Sequence, residues 1–155
     1  MENIKWWKNF NFLNDKKKIS KLFKKFDNKK KFIKILEKKI SNILKVKYVV
    51  FTTSGSSALT IALRAFPLKL SSKILIPDRT WVATAHAAYN NGHQVLIKDT
   101  NNFNMNFDYK KKSLNKTIKY DAAILVNLNG KNCDFEKINS SKKIYIVEDC
   151  AQSFL

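Results

Sequence analysis

Apolar residues in the first third of the chain recur at helical spacing. Between residues 30 and 44, Phe32, Leu36, Ile40 and Ile43 lie three or four positions apart, with lysines between them. This spacing places the apolar side chains on one face and predicts an amphipathic helix. Residues 15–27 carry a shorter version of the pattern and predict a second helix. We therefore expect residues 1–47 to form a helical N-terminal segment.

Beyond residue 47, short β-branched runs alternate with apolar stretches that are long enough for helices. The pattern predicts helices over residues 58–66 and 81–91, and strands over residues 48–53, 73–77, 94–98, 121–127 and 143–147. Alternation of this kind indicates a mostly parallel sheet flanked by helices and joined by right-handed crossovers. The predicted fold class is therefore α/β, with residues 48–155 as the sheet-containing domain.

Composition and cysteine usage narrow the protein class. Hydrophobic residues make up 45% of the 155 residues, which argues against a disordered chain. No apolar run approaches the roughly 20 residues that a membrane-spanning helix needs, so we expect no membrane association. Cys133 and Cys150 are too few and too far apart for a disulfide framework, which favours reduced thiols and a cytoplasmic protein.

The charge is strongly positive, but its make-up weakens a nucleic-acid interpretation. Residues 1–47 hold 16 lysines and four acids of a chain whose net charge is +18, so the helical segment is basic. Arg64 and Arg79 are the two arginines among 30 basic residues, whereas nucleic-acid surfaces favour arginine for bidentate contacts. Nucleic acid is thus an unlikely partner. It would have to stack on the aromatic residues Trp6, Trp7, Phe10 and Phe12.

Gly55 is the most informative of the three glycines, because it lies between a predicted strand and a predicted helix. A Ser54-Gly55-Ser56-Ser57 turn that opens a helix presents unpaired N–H groups and hydroxyls, which suit a phosphate. A plain N-cap explains the same serines. Neither GxxxxGK[ST] nor GxGxxG is present, so the sequence predicts neither a P-loop nor a Rossmann fingerprint.

Two further segments are expected at the same edge of the sheet. Trp81 follows the strand over residues 73–77, and Asp149 follows the last strand. Ligands of open α/β sheets bind at the carboxyl ends of the strands. A phosphate cradle, a flat aromatic ring and a buried carboxylate are what a pyridoxal phosphate site requires, because the carboxylate keeps the pyridine nitrogen protonated.

Four separated motifs resemble one known family. They are Thr53-Ser54-Gly55-Ser56-Ser57-Ala58-Leu59, Ile76-Pro77 with Thr80-Trp81-Val82-Ala83-Thr84, Asn127-Leu128-Asn129-Gly130, and Glu148-Asp149-Cys150-Ala151-Gln152. In order and spacing they look like the DegT/DnrJ/EryC1/StrS family of fold-type I, pyridoxal-phosphate-dependent enzymes. Most members are aminotransferases that act on nucleotide-linked keto-sugars, in the biosynthesis of amino sugars and cell-surface polysaccharides. The chain would then be the N-terminal, incomplete part of the large domain.

The resemblance implies a role for each matching residue. Gly55 and Ser56 would hold the cofactor phosphate, Trp81 would stack on the pyridine ring, Asp149 would pair with the pyridine nitrogen, and Gln152 would reach the phenolic oxygen. Simpler roles stay open: Trp81 as a core residue, Asp149 as an N-cap and Gln152 as a surface cap. His86 and His93 form no metal-ligand pattern, so both are expected to be structural and no metal site is predicted.

The resemblance also implies partners for this chain and the lack of one catalytic residue. Relatives take an amino donor such as glutamate together with a keto-sugar nucleotide, and they build the site across a homodimer interface. The lysine that forms a Schiff base with the cofactor follows the last motif, so we expect this chain to be a truncated fragment without aminotransferase activity. A family dehydratase with histidine in place of that lysine, and a non-catalytic remnant or binding protein, are the alternatives.

Overall fold

The computed structural model describes residues 12–23, 29–101, 106–107, 119–134 and 144–153. The chain divides into two compact units, residues 1–51 and residues 52–155. In the first unit, helix α1 spans Phe12–Phe23 and helix α2 spans Lys29–Leu44. The helix predicted over residues 30–44 is confirmed, and the one over residues 15–27 is confirmed as far as residue 23, since residues 24–27 lie outside the described part. The aromatic residues Trp6, Trp7 and Phe10 of the nucleic-acid hypothesis, and the side chain of Phe12, lie outside the described part.

Four parallel strands form the sheet of the second unit. Helix α3 spans Gly55–Arg64 and is followed by β1 at Lys73–Pro77, helix α4 at Val82–Tyr89, β2 at Gln94–Lys98, β3 at Ala122–Val126 and β4 at Tyr145–Asp149. The strand order is β2-β1-β3-β4, and each neighbouring pair is parallel. The predicted strands over residues 73–77 and 94–98 are confirmed at their exact bounds, and the two later ones within two residues.

The strand predicted over residues 48–53 is wrong. These residues have no strand conformation, and Tyr48 and Val50 are 75% and 74% exposed. A β-branched run becomes a strand only where a neighbour supplies ladder hydrogen bonds. Among the described residues no strand pairs with this segment, and the Phe51 N–H donates instead to the Glu37 carboxylate at 3.2 Å.

Near-continuous burial of the two central strands creates a core on each face of the sheet. All five residues of β3 are buried, as are the last four of β1, which is the pattern of parallel strands covered on both faces. Helices α3 and α4 cover one face with Leu59, Leu63, Ala87 and Ala88. The opposite face buries another cluster: Leu75, Phe107, Ala123, Leu125 and Cys133.

Gly92 closes the turn that leads from α4 into β2. Its φ is +75°, a conformation that favours glycine. An added Cβ would lie 2.7 Å from Leu70 Cδ1, the end of an exposed side chain that can move away. The helix itself ends earlier, since the cap residue is Asn90 in right-handed geometry. Gly92 therefore adopts positive φ in the turn, three residues beyond the last residue of α4. In the described residues, every helix is too short or too polar to cross a membrane.

Candidate functional site

The carboxyl ends of all four strands lie at one edge of the sheet, because the strands are parallel. Asp149 is the last residue of β4, and Trp81 follows β1 by four residues. Strand β3 lies between these two strands, so their ends are roughly 10 Å apart. At this carboxyl edge, Asp149 and the turn that carries Trp81 therefore lie on opposite sides of β3.

Helix α3 brings its N-terminus to the same edge. The helix packs against α4 and β4, and its C-terminal end leads to Phe66, whose ring stacks on Tyr145 at the start of β4 with centroids 4.7 Å apart. Ten helical residues extend about 15 Å, so Gly55 lies at the far end, towards the carboxyl edge. The predicted location of Gly55 thus holds, although the strand expected before it is absent.

Serine hydroxyls organise the N-terminus of α3. Ser54 is the N-cap, and its Oγ accepts the Ser57 N–H at 3.1 Å, as the simpler N-cap interpretation requires. The Ser57 hydroxyl also lies 3.0 Å from Ser54 Oγ and 3.3 Å from Thr53 Oγ1. Gly55 and Ser56 come between these capped positions, and a Cβ added at Gly55 would meet nothing within 4 Å. The folded chain itself therefore gives no steric reason for glycine at position 55.

Trp81 is a surface residue. Its side chain is 75% exposed, which excludes the alternative that it belongs to the core. It stands at the N-cap position of α4 with extended backbone and makes no side-chain capping bond. The neighbouring turn is fixed instead by Thr80, whose Oγ1 lies 2.7 Å from that of the buried Thr84. An exposed indole thus projects from a turn that is anchored beneath it.

Asp149 is half-buried, not buried as the sequence analysis expected. Its Oδ1 accepts the Ala151 N–H at 3.0 Å within a turn, and residues 150–153 are not helical, so this bond is not the helix N-cap left open for Asp149. Gln152 is exposed, and its Oε1 accepts the Asn129 N–H at 3.0 Å. In the described part of the chain, no donor reaches Asp149 Oδ2 and no acceptor reaches Gln152 Nε2.

Asn127 is a residue of this edge to which the sequence analysis gave no role. It follows β3 and is 1% exposed. Its Nδ2 donates to Glu148 Oε1 at 2.7 Å and to Cys150 Sγ at 3.5 Å, and its Oδ1 accepts the Cys133 N–H at 2.8 Å. The sequence does show a buried-strand pattern that ends directly in an amide, and this could have marked Asn127 as a residue of the site. The motif Asn127-Leu128-Asn129-Gly130 was used only for its resemblance to a family.

The two cysteines lie beneath this amide and have raised pKa values. Burial, followed by the negative charge of Glu148, raises the pKa of Cys133 from 9.0 to about 11. Burial is also the first cause of the raised pKa of Cys150, and Glu148 is again the second. Both thiols are free and hold their protons at neutral pH, as a structural role requires.

Neither the two histidines nor the amino edge of the sheet is part of the predicted site. His86 is exposed, His93 is half-buried, and the described residues contain no metal-binding cluster. A cavity of about 460 Å³ opens at the amino edge of the sheet. Its lining residues are Pro67, Leu68, Lys69, Ser72, Lys119, Tyr120, Asp121, Ile144 and Tyr145.

Known proteins resemble this chain over most of its length. The dTDP-3-amino-3,6-dideoxy-alpha-D-galactopyranose transaminase of Aneurinibacillus thermoaerophilus is 31% identical over 120 residues, which cover 76% of this chain and 33% of the relative. The GDP-4-keto-6-deoxy-D-mannose 3-dehydratase of Yersinia pseudotuberculosis is 29% identical over 130 residues, covering 78% of this chain and 33% of the relative. The chain thus spans about a third of the length of these curated relatives.

The fold agrees with solved structures of the same group. The E. coli GDP-4-keto-6-deoxy-D-mannose-3-dehydratase with bound hydrated PLP matches with a TM-score of 0.76 and 26% identity, covering 91% of this chain and 39% of that one. The predicted α/β fold, as part of a larger domain, is confirmed. Residues 15–155 match the DegT/DnrJ/EryC1/StrS aminotransferase family, and the chain belongs to this family.

Proposed function

We propose that residues 52–155 form the part of a pyridoxal phosphate site that holds the cofactor's phosphate, ring face and ring nitrogen. The observation that carries the proposal is the convergence of the α3 N-terminus, Trp81 and Asp149 at the carboxyl edge of one parallel sheet. When bound, the protonated ring of this cofactor supplies an electron sink for the substrate carbon. The residues of the chain bind and orient that ring.

The phosphate fits the N-terminus of α3. The N–H groups of Gly55 and Ser56 are in the first turn, where a helix has no acceptor of its own for them. The helix dipole adds a partial positive charge at the same end. Because no side chain approaches Gly55, an anion can come close to the backbone. The exposed Ser56 hydroxyl would supply a further donor.

The ring fits between Trp81 and Asp149. The exposed indole of Trp81 offers a flat apolar surface for the ring face. One carboxylate oxygen of Asp149 accepts the Ala151 N–H, and the other would accept a hydrogen bond from the protonated ring nitrogen. The Asn129 N–H occupies Gln152 Oε1, so the amide can present its NH₂ group to an anionic ring oxygen.

For the reaction, we propose transfer of an amino group from a donor such as glutamate to a nucleotide-linked keto-sugar. The transaminase relative supports this class. The dehydratase relative supports the alternative, in which histidine replaces the lysine that binds the cofactor covalently. We further propose that these 155 residues supply only a share of the site, so that covalent attachment and turnover need groups from elsewhere. A homodimer, as expected from the resemblance, would be one source of such groups.

The cofactor site can be tested without the aldehyde, which would react indiscriminately with the 28 lysines. Pyridoxine 5′-phosphate has the same ring and phosphate but forms no imine. We expect calorimetric titration to show one site per chain, with pyridoxine and inorganic phosphate each binding more weakly. A Ser56→Ala, Trp81→Ala double variant should lose this site. Binding of many equivalents, or binding that the double variant retains, would refute the proposal.

Covalent attachment is tested separately with pyridoxal phosphate and borohydride, followed by peptide mass analysis. We expect labelling scattered over exposed lysines, with no position labelled stoichiometrically. Stoichiometric labelling of one lysine together with an imine absorbance band would show that the chain attaches its own cofactor. That result would contradict the proposed need for outside groups and leave the binding site itself intact.

A further inference from the structure

Asn127 places a fully buried carboxamide directly beneath the carboxyl edge. A buried amide is costly unless its donors and acceptors are satisfied. Here the Cys133 N–H donates to Oδ1, and Nδ2 donates to Glu148 and Cys150. Because Cys133 is itself buried, the bond to its N–H fixes which end of the amide faces β4. The NH₂ group is thereby directed at the end of that strand.

These bonds bracket Asp149. Glu148 and Cys150 are its two chain neighbours, and the same NH₂ group contacts the side chain of each. The Asn127 N–H also donates to the Asp149 carbonyl at 3.0 Å. Successive side chains of an extended chain point to opposite sides. With both neighbours held on the Asn127 side, the carboxylate of Asp149 is turned away from it.

The turn that follows Asn127 bonds Gln152, the residue proposed to reach the anionic ring oxygen of the cofactor. Asn129 adopts φ +55° and Gly130 adopts φ +73°, so the chain reverses tightly after β3. In this conformation the Asn129 N–H reaches Gln152 Oε1 at 3.0 Å. The end of β3 and its turn thus contact, through four hydrogen bonds, the segment Glu148-Asp149-Cys150-Ala151-Gln152.

We infer that Asn127 is a positioning residue: its carboxamide, bonded to Glu148 and Cys150, orients the Asp149 carboxylate towards the ring nitrogen of the cofactor, while the adjoining turn orients Gln152. This inference rests on the proposed function. Asn127 does not touch the cofactor in this arrangement. It acts through the two neighbours of Asp149 and through the backbone of β4.

The test compares Asn127→Leu with Asn132→Leu. Leucine has the branched shape of asparagine, although it is larger, and it forms no hydrogen bond. Asn132 is an exposed amide of the same loop that accepts a hydrogen bond from the Ser153 hydroxyl. Pyridoxine 5′-phosphate labelled with ¹⁵N in the ring is the probe, since its nitrogen shift reports protonation directly. In Asn127→Leu we expect the pKa of the bound ring nitrogen to fall by about one unit, because the carboxylate no longer faces it. Asn132→Leu should match the unmodified chain.

A second readout needs no ligand. The Ala151 N–H donates to Asp149 Oδ1, so its exchange with water, measured by NMR, reports the orientation of the carboxylate. We expect exchange to become roughly tenfold faster in Asn127→Leu and to be unchanged in Asn132→Leu. Glu148→Ala removes the carboxylate oxygen that lies 2.7 Å from Asn127 Nδ2. Because Glu148 is exposed, this variant tests the same hydrogen bond even if Asn127→Leu does not fold. Faster exchange is expected there too.

The outcomes separate the two proposals. An unmodified chain that does not bind pyridoxine 5′-phosphate refutes the proposed function, while the exchange of the Ala151 N–H still decides whether Asn127 orients Asp149. If the chain binds and Asn127→Leu has an unchanged ring-nitrogen titration and unchanged exchange, the positioning role is wrong. A lower unfolding free energy in Asn127→Leu with both readouts unchanged would mean that the amide only stabilises the fold.

Discussion

The two edges of the sheet both contain an aspartate, and the two carboxylates are used differently. At the amino edge, Asp121 Oδ2 accepts the Lys73 N–H at 2.8 Å, and the Asp121 carbonyl accepts the Tyr145 N–H at 3.3 Å. Asp121 therefore links β1 and β4 across the start of β3. At the carboxyl edge, Asp149 Oδ1 bonds within its own turn, to the Ala151 N–H.

The difference distinguishes a carboxylate that closes the fold from one that is available to a ligand. The Asp121 carboxylate accepts a hydrogen bond from the backbone of β1, 48 positions earlier in the chain, so it holds two strands together. The Asp149 carboxylate, which Asn127 aligns, accepts a hydrogen bond from a residue two positions away, so no pairing of strands depends on it. The comparison predicts opposite consequences when each aspartate is changed.

The largest effect is expected for Asp149→Asn. The bound ring nitrogen would lose its anionic partner, so its pKa should fall by roughly 1–3 units and binding of pyridoxine 5′-phosphate near neutral pH should weaken at least about tenfold. The free energy of unfolding should change by less than about 0.5 kcal/mol, because the amide oxygen can still accept the Ala151 N–H. Titration calorimetry and urea unfolding measure the two quantities. Equal binding in the variant would contradict the distinction.

The buried side of the carboxyl edge predicts a pH-dependent stability. The folded chain holds the Cys133 proton more tightly than the unfolded chain, with a pKa of about 11 against 9.0, owing first to burial and then to Glu148. The thiol's contribution to stability is therefore complete below pH 9 and is lost as the pH rises towards 11. Over that range the unmodified chain should lose about 2 kcal/mol more unfolding free energy than Cys133→Ala.

The two chains share every other titratable group, so only the difference between their unfolding free energies is informative. If urea unfolding shows that the unfolding free energies of the two chains fall in parallel across this pH range, the Cys133 thiol ionises equally in the folded and unfolded states. The Cys133 side chain would then not be sequestered beneath Asn127 as described.

The next effect is expected for Asp121→Ala at the amino edge. Removing the acceptor of the Lys73 N–H should lower the free energy of unfolding by about 1 kcal/mol, a modest loss because water can reach this exposed site. Binding of pyridoxine 5′-phosphate should be unchanged, since the opposite edge is intact. Urea unfolding and calorimetry again give both values. Loss of binding without loss of stability would reverse the assignment of the two edges.

A small gain in stability is expected for Gly55→Ala. The added Cβ meets nothing within 4 Å, and alanine is the better helix former, so the free energy of unfolding should rise by about 0.5 kcal/mol. Phosphate binding should nonetheless weaken, because the methyl group occupies the approach to the backbone N–H groups. Gly92→Ala is the matched control: its positive φ makes the substitution destabilising by about 1–3 kcal/mol, with no specific loss of phosphate binding. A variant Gly55→Ala that binds normally would remove Gly55 from the site.

The local sequence pattern predicted correctly the strands whose own side chains are apolar on both faces. The runs at 73–77 and 94–98 are correct to the residue because apolar side chains on both faces define a parallel strand. The run at 48–53 has the same β-branched character and no partner within the described residues, and pairing is a property of another part of the chain. Strand propensity alone therefore could not decide it.

The site shows the same limit. Gly55, Trp81 and Asp149 were proposed as site residues because each stands beside an element boundary that the sequence marks. Asn127 was missed as a contributor because its partners, Glu148 and Cys150, are more than 20 positions away and become neighbours only through the β3–β4 register. The half-burial of Asp149 likewise depends on what the turn after it covers, which a strand pattern does not report.

The cofactor site at the carboxyl edge is tested most directly by a map of amide chemical-shift changes in the ¹⁵N-labelled chain on adding pyridoxine 5′-phosphate. We expect the changes to cluster at the carboxyl edge, at Gly55, Ser56, the Trp81 indole, Asp149 and Gln152. Changes centred on the amino-edge cavity around Ser72, Tyr120 and Tyr145, or spread over the lysines of α1 and α2, would contradict it.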